Sequence, residues 1–283
     1  MERLHFYLGT TLCNRQFKHD YEVYKNNSTD TFYDIDLKKL LTRTGHSKKP
    51  YSFAAGDIQH HTHPCALVKN RCGNGENGVI LRCLSFKRHW HDFYNRPTDI
   101  PFQSKRNTVF WRGATTGAEN RVANRFQFVK RWFNVYPSID VGFSFVCQDM
   151  NSYKAYVKGE SSIQNFLQYK YIVSIEGNDK DSGLNWKLNS NSLVLMAKPR
   201  VCSWLMETTL LPEYHYVLLK DDFSDLADKL AWCNANQQAC KTIIENAHVF
   251  MSKFADTKAE EDLEKQVIDR YFELIAEEKN SPL

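Results

Sequence analysis

From residue 107 to about 235 the chain alternates short β-branched or aromatic runs with stretches of helical spacing, and this alternation constrains the fold most. Strands interleaved with helices build a parallel sheet flanked by helices, because each parallel pairing needs a crossover long enough to return to the same edge. The pattern opens with Asn107-Thr-Val-Phe-Trp-Arg-Gly-Ala-Thr-Thr-Gly-Ala-Glu-Asn-Arg121. Thr108 to Trp111 reads as a buried strand and Arg112 to Gly117 as a turn with two glycines; from Ala118, Val122, Phe126, Val129 and Phe133 are spaced as in a helix. Such a strand–turn–helix unit can aim backbone N–H groups and a helix N-terminus at an anion. It is equally the shape of an ordinary connection, and the stretch alone does not separate the two.

Further strands are expected over Ile139–Val146, Tyr171–Ile175, Leu193–Met196 and His215–Leu219, with short helices over Ser161–Gln168 and near Leu184–Asn189 and a helical stretch over Trp204–Leu210. Three helices close the chain. The first is capped by Ser224 and carries Leu226, Leu230 and Cys233; the second runs from about Gln237 to Phe254; the third places Leu263, Val267, Tyr271 and Ile275 at four-residue steps. Residues 1–50 are polar and weakly periodic, with a strand over Leu4–Leu8 and a short strand or helix over Tyr33–Leu41. Tyr51–Ala55, Ala66–Lys69 and Gly78–Leu84 read as strands, and the loop Asn95–Phe102 as a domain boundary.

Composition acts as a filter on function. Hydrophobic residues are 42% and charged residues 25%, ordinary for a soluble chain with a core. The 37 basic residues are dispersed and nearly balanced by 33 acidic ones, which argues against nucleic-acid binding while permitting an anionic substrate or membrane surface. There is no apolar run long enough to span a bilayer, and the N-terminal residues lack the apolar core of a signal peptide. Eight unclustered cysteines, among them Cys83, Cys147, Cys202 and Cys233, read as reduced, buried thiols. The expectation is a cytoplasmic globular protein.

Asp179-Lys-Asp181 places two carboxylates at alternate positions, a spacing that can share a divalent cation, although a solvated loop is the simpler reading. Its place between strand and helix matters more, because N–H groups around Ser182 and Gly183 can cradle a phosphate there. His60, His61 and His63 lack helical ligand spacing and a nearby cysteine, so a histidine-rich acceptor-binding loop fits better than a metal site. Asp57, beside Gly56 at a strand end, is a generic terminus unless ligands sit beyond the strand ends, where an acid is placed for a base role. Glu207, taken alone, reads as an ordinary surface carboxylate beside Trp204.

Several segments together resemble glycosyltransferase family 90: Trp111-Arg-Gly113, Tyr169-Lys-Tyr-Ile-Val-Ser-Ile-Glu-Gly-Asn178, Leu184-Asn-Trp-Lys-Leu-Asn-Ser-Asn-Ser-Leu-Val194, Trp204-Leu-Met-Glu-Thr-Thr-Leu-Leu-Pro-Glu-Tyr-His-Tyr-Val217 and Asp221-Asp-Phe-Ser-Asp-Leu226. The resemblance covers about residues 51–255 and is closest to the bacterial lipopolysaccharide members, beside fungal capsule xylosyltransferases and animal protein O-glucosyltransferases. It implies an α/β fold of GT-B type, with two Rossmann-like domains facing a central cleft. Residues 1–104 would form the acceptor-side domain, 105–258 the UDP-sugar domain, and 259–283 a helix packing back on the first domain. It also implies inverting, metal-independent transfer from a UDP-sugar to a hydroxyl of a glycan, the expected acceptor being lipopolysaccharide core or another surface polysaccharide at the inner face of a membrane.

Carried over by position, Arg112 matches the family arginine near the donor diphosphate and Arg121 a second donor-side arginine. Gly113, Thr115, Thr116 and Gly117 complete that turn. Gly177, Asn178, Asp179, Gly183, Asn185 and Lys187 match the phosphate loop and its helix, and Glu207 is placed to accept from ribose hydroxyls. Animal members carry Ser-x-Arg-x-Lys in that loop; this chain has Asp181, Gly183 and Asn185, with Lys187 two places on, so the cationic contact falls to Lys187 or is left to Arg112 and the helix dipole. Asp57 falls near the family's catalytic aspartate and would take the acceptor proton. No cofactor or metal is expected. The alternatives are a GT-A-like, Mn-dependent transferase using Asp179 and Asp181, and a non-catalytic module that binds a glycan or nucleotide.

Overall fold

The computed structural model describes residues 2–13, 31–57, 62–72 and 77–279. The chain divides into two units, one of Met1–Arg88, Arg200–Thr208 and Asp256–Leu283, the other of His89–Pro199 and Thr209–Ala255. Each contains a parallel sheet with helices, so the fold is α/β.

The first unit carries α1 (Glu2–Leu8), α2 (Thr10–Cys13), α3 (Phe32–Arg43), β1 (Ser52–Phe53), β2 (Ala66–Val68), β3 (Asn70–Cys72) and β4 (Val79–Ile80). Later chain adds β9 (Val201–Ser203) and α10 (Thr257–Lys279). A three-stranded parallel sheet runs in the order β1-β2-β4, and β3 pairs antiparallel with β9. Leu4–Leu8, expected as a strand, is the helix α1. Arg3 Nη2 donates to the Tyr7 hydroxyl at 2.8 Å, an i,i+4 pair that helical geometry brings together. Arg3 also forks onto both oxygens of buried Glu260, at 2.7 and 2.8 Å, and the Tyr7 ring stacks on Trp204 with centroids 3.8 Å apart. Tertiary partners distant in sequence therefore decide the element. In α3, Thr31 and Asp34 exchange hydrogen bonds as a capping box, which settles Tyr33–Leu41 as helix. Gly78–Leu84 shortens to Val79–Ile80. The helix expected over Trp204–Leu210 is only a 3-10 turn, Glu207–Thr209, because Met206 is left-handed (φ 61°).

The second unit holds α4 (His91–Tyr94), β5 (Arg106–Gly113), α5 (Arg125–Trp132), β6 (Ile139–Phe143), α6 (Ile163–Phe166), β7 (Tyr169–Ser174), α7 (Leu184–Leu188), β8 (Leu193–Met196), β10 (Val217–Leu218), α8 (Leu226–Ala235) and α9 (Gln237–Ser252). Its five strands are all parallel, in the order β10-β8-β7-β5-β6. Val109 and Trp111, Val141, Tyr171 and Val173 pack with α5, α8 and α9 on one face. Phe110 and Ile172 meet Phe166 and Trp186 of α6 and α7 on the other. Burial on both faces gives these strands their nearly continuous apolar character.

Helix α5 begins at Arg125, not Ala118. Gly117 (φ +92°) and Ala123 (φ 54°) turn the chain left-handed, and the Asn124 side chain then caps the helix by accepting from the Gln127 N–H at 2.8 Å. Val122, read as its first apolar position, is exposed. Asp225, not Ser224, holds the N-cap position of α8, with no side-chain cap bond. All eight cysteines are free; Cys65, Cys202, Cys233 and Cys240 are buried, whereas Cys83 and Cys147 are only partly so. Among the described residues no helix is long and apolar enough to cross a membrane.

Candidate functional site

In an open parallel sheet, ligands bind beyond the carboxyl ends of the strands where the strand order reverses. The chain of the second unit starts at β5, moves outward to β6, then crosses to β7 on the other side of β5 and continues to β8 and β10. The reversal lies between β5 and β7, and three loops meet at that end of the sheet: 114–124, 144–149 and 175–183.

Their contacts are specific. The Thr115 hydroxyl donates to the Cys147 carbonyl at 2.9 Å and accepts from the Cys147 N–H at 2.8 Å, tying the first loop to the end of β6. The Asn178 side-chain oxygen accepts from the Gly117 N–H at 2.8 Å and from Gln148 Nε2 at 3.0 Å. Arg121 donates to the carbonyls of Gly177 and, at 2.8 Å, of Asn178. A Cβ on Gly117 would lie 2.9 Å from the Gly177 carbonyl oxygen; one on Gly177 would lie 2.7 Å from Thr116 Oγ1 and 3.0 Å from Arg125 Nη2. Gly117 passes so close to the Gly177 backbone that a side chain has no room, and Gly177 faces the Thr116 and Arg125 side chains at the same crossing.

Gly113, Thr115, Thr116, Gly117, Arg121, Gly177 and Asn178 are thus brought together, but other expected donor residues are placed differently. Arg112 lies on the Phe110 side of the sheet, its guanidinium 4.6 Å from that ring centroid. It donates to the Trp111 carbonyl at 2.8 Å and to both the carbonyl and the carboxylate of Asp140, at 3.1 and 2.8 Å. Arg112 pairs with Gly142 across the strands, so reaching Asp140 turns it back from the carboxyl end. Asp179, Lys180 and Asp181 are all buried, which corrects the reading of a solvated loop. Asp181 accepts from the Ser174 hydroxyl at 2.7 Å, the Gly183 N–H at 2.9 Å and Lys187 Nζ at 2.5 Å. Burial pushes the Asp181 carboxyl up, but Lys187, Arg125 and the Ser174 hydroxyl outweigh it and hold it below the usual value. Lys187 is itself buried and also donates to the Val173 carbonyl at 3.3 Å; buried Asn185 donates to the His89 carbonyl.

The remaining expected residues belong to the first unit. Asp57 follows Gly56 (φ +91°) beyond β1 and is partly exposed. Its Oδ1 receives the ammonium of buried Lys69 and, at 3.4 Å, the Tyr33 hydroxyl, which accepts from Arg88 Nη1 at 2.8 Å. Burial pushes the Tyr33 phenol up, with Lys69 and Arg88 opposing. His63 is exposed, its Nδ1 accepting from the Cys65 N–H at 3.2 Å; His60 and His61 lie outside the described residues. Glu207 is buried rather than a surface carboxylate, accepting from the Ser203 N–H at 2.6 Å and the Ser203 hydroxyl at 2.7 Å.

Sequence reasoning passed over Arg125, Asp140 and Lys69. Residue parity was the available signal for Asp140, since Arg112 shares its side of β5 with Phe110. Arg125 had a weaker one, a cation opening the helix that follows a glycine turn. Among the described residues no group of three or more His, Cys, Asp or Glu is placed to hold a metal.

The model of glycosyl transferase family 90 matches residues 83–282. The O-glucosyltransferase LpsA of Dichelobacter nodosus is 36% identical over 245 residues, covering 86% of this chain and 73% of LpsA. An uncharacterized protein of Invertebrate iridescent virus 6 is 32% identical over 223 residues, 66% of this chain and 19% of the viral protein. Protein O-glucosyltransferase 2 of Danio rerio is 27% identical over 145 residues, 50% of this chain and 28% of that protein.

Proposed function

The chain belongs to glycosyl transferase family 90, and from that premise we propose that it is an inverting enzyme of the GT-B class. It moves a hexose or pentose from a UDP-sugar to a hydroxyl of a glycan acceptor. The observation that carries this reading is the crossing of the Gly117 and Gly177 backbones at the β5/β7 reversal. Around it, the N–H groups of Thr116 and Asn178 have no acceptor among the described residues. The Thr116 hydroxyl accepts from Arg125 at 2.7 Å, which leaves its own hydrogen to donate. Such preset donors suit the charge that develops on a departing diphosphate, and Arg121, held by the Gly177 and Asn178 carbonyls and 3.8 Å from Glu176, adds a cation beside them.

Arg112 would reach a diphosphate only by leaving Asp140, and Lys187 only by leaving Asp181. A divalent cation at Asp181 would likewise have to displace Lys187, so we assign the transfer to a metal-independent route. In the displacement the acceptor oxygen bonds to the anomeric carbon as the bond to UDP breaks. Asp57 takes the proton; Lys69 and Tyr33 occupy its Oδ1, leaving Oδ2 for that role. The O-glucosyltransferase activity in the name of LpsA makes glucose the first sugar to test; as first acceptor we propose what the resemblance to the bacterial members implies, lipopolysaccharide core or a related surface polysaccharide at the inner membrane face.

Purified protein incubated with UDP-glucose, UDP-galactose and UDP-xylose is expected to release UDP from one of them, in the presence of EDTA. Asp57→Asn is expected to bind UDP normally and transfer nothing. Failure of the wild-type protein both to bind UDP and to consume any UDP-sugar would refute the assignment; near-normal turnover by Asp57→Asn would remove Asp57 alone.

A further inference from the structure

We propose that Arg125 is the positioning residue of the donor site: its guanidinium fixes the spacing of the two crossing loops and turns the Thr116 hydroxyl toward the diphosphate. The proposal rests on the reading of the β5/β7 reversal as a diphosphate site. Arg125 is the first residue of α5, and its side chain reaches back under both loops. Nη1 donates to the Ala114 carbonyl at 3.1 Å and to Thr116 Oγ1 at 2.7 Å, both in the loop after β5. Nη2 and Nε donate to the Ile175 carbonyl at 3.1 and 3.3 Å, at the start of the loop after β7. One rigid planar group therefore holds both sides of the strand-order reversal, which a flexible ammonium cannot do.

Two further features point the same way. The missing Cβ of Gly177 is the space that Arg125 and Thr116 occupy, so the glycine and the arginine form one arrangement. Thr116 has a single hydroxyl hydrogen; with Arg125 donating to its oxygen, that hydrogen is directed elsewhere. Burial pushes the guanidinium down from its ordinary value, with Asp181 and Asp179 opposing, and an arginine remains charged in either case. Arg125 needs no contact with substrate for this role, because it acts through Thr116 and the loop backbone.

The test uses the full chain with Arg125→Met, Arg125→Lys and Thr116→Val, reading UDP affinity by calorimetry, donor and acceptor KM, kcat and melting temperature. Arg125→Met and Thr116→Val are each expected to weaken UDP about tenfold, the scale of one hydrogen bond to a charged group. Donor KM should rise with little change in acceptor KM, and Arg125→Lys should restore only part of the loss. Combining Arg125→Met with Thr116→Val should add little to either alone, because both remove the same donor. A folded Arg125→Met with wild-type UDP affinity and only a lower melting temperature would overturn the proposal. If that variant does not fold, Thr116→Val with unchanged affinity does the same. A wild-type protein that does not bind UDP would defeat the donor reading and this proposal with it. Binding that is unaffected by these substitutions would defeat this proposal alone.

Discussion

Lys187 is the residue on which two accounts of the donor loop diverge: a cation offered to the diphosphate, or an internal brace. Its Nζ lies 2.5 Å from Asp181 Oδ2, with side chains 5% and 9% exposed. Lys187→Met leaves a buried carboxylate without its cation, a change that costs about 3–5 kcal/mol. Asp181 keeps the Ser174 hydroxyl and the Gly183 N–H, so the lower end, about 3 kcal/mol, is expected. At about 2–4 °C per kcal/mol for a unit of this size, the melting temperature should fall by about 6–12 °C. Asp181→Asn in the same chain removes the stranded charge and should recover at least half of that loss. Urea denaturation of the four proteins of the cycle should give a coupling of about 2 kcal/mol. Titration with UDP should place the folded double variant within about threefold of wild type, under 1 kcal/mol. Additive stabilities, or a folded double variant that has lost UDP affinity, would refute the internal brace.

Gly117→Ala places a side chain at φ +92° and 2.9 Å from a carbonyl oxygen, so at least about 1–2 kcal/mol of strain and a wider loop crossing are expected. Calorimetry should show weaker UDP binding, and unchanged melting and affinity would contradict the crossing. The Asp181 carboxyl is held below its ordinary 3.8, so its stabilisation is present above that pH and is lost as pH falls through the lower folded value. Urea midpoints measured from pH 5 downward should therefore drop less steeply in Asp181→Asn than in wild type below about pH 4. Glu260→Ala strands Arg3 and the Trp204 indole N–H, both of which donate to that carboxylate. Urea denaturation should report a loss of about 3 kcal/mol, and a loss under about 1 kcal/mol, the worth of an exposed pair, would show that the contact is solvent-screened.

The strands of the five-stranded sheet were legible because burial on both faces turns each into an apolar run between turn residues, as in Tyr171 to Ile175. Helix α1 was not, since its conformation rests on Trp204 and Glu260, which local spacing does not reveal. The same division holds at the site. The glycines of both loops could be read as turn formers, but that Gly117 meets Gly177 follows only from the strand order. The burial of Asp179 to Asp181 was hidden because charges read as solvated until partners such as Lys187 and Ser174 are known. The motif position of Arg112 reads as a diphosphate ligand, whereas its bond to Asp140 on the Phe110 side of the sheet depends on the β5–β6 register, which the motif does not carry.

A crystal structure of the complex with UDP tests the central claim most directly. The β-phosphate is expected at the β5/β7 reversal, within hydrogen-bond distance of the Thr116 and Asn178 N–H groups and the Thr116 hydroxyl, with Arg112 still on Asp140. UDP bound elsewhere on the chain, with these groups untouched, would contradict the account.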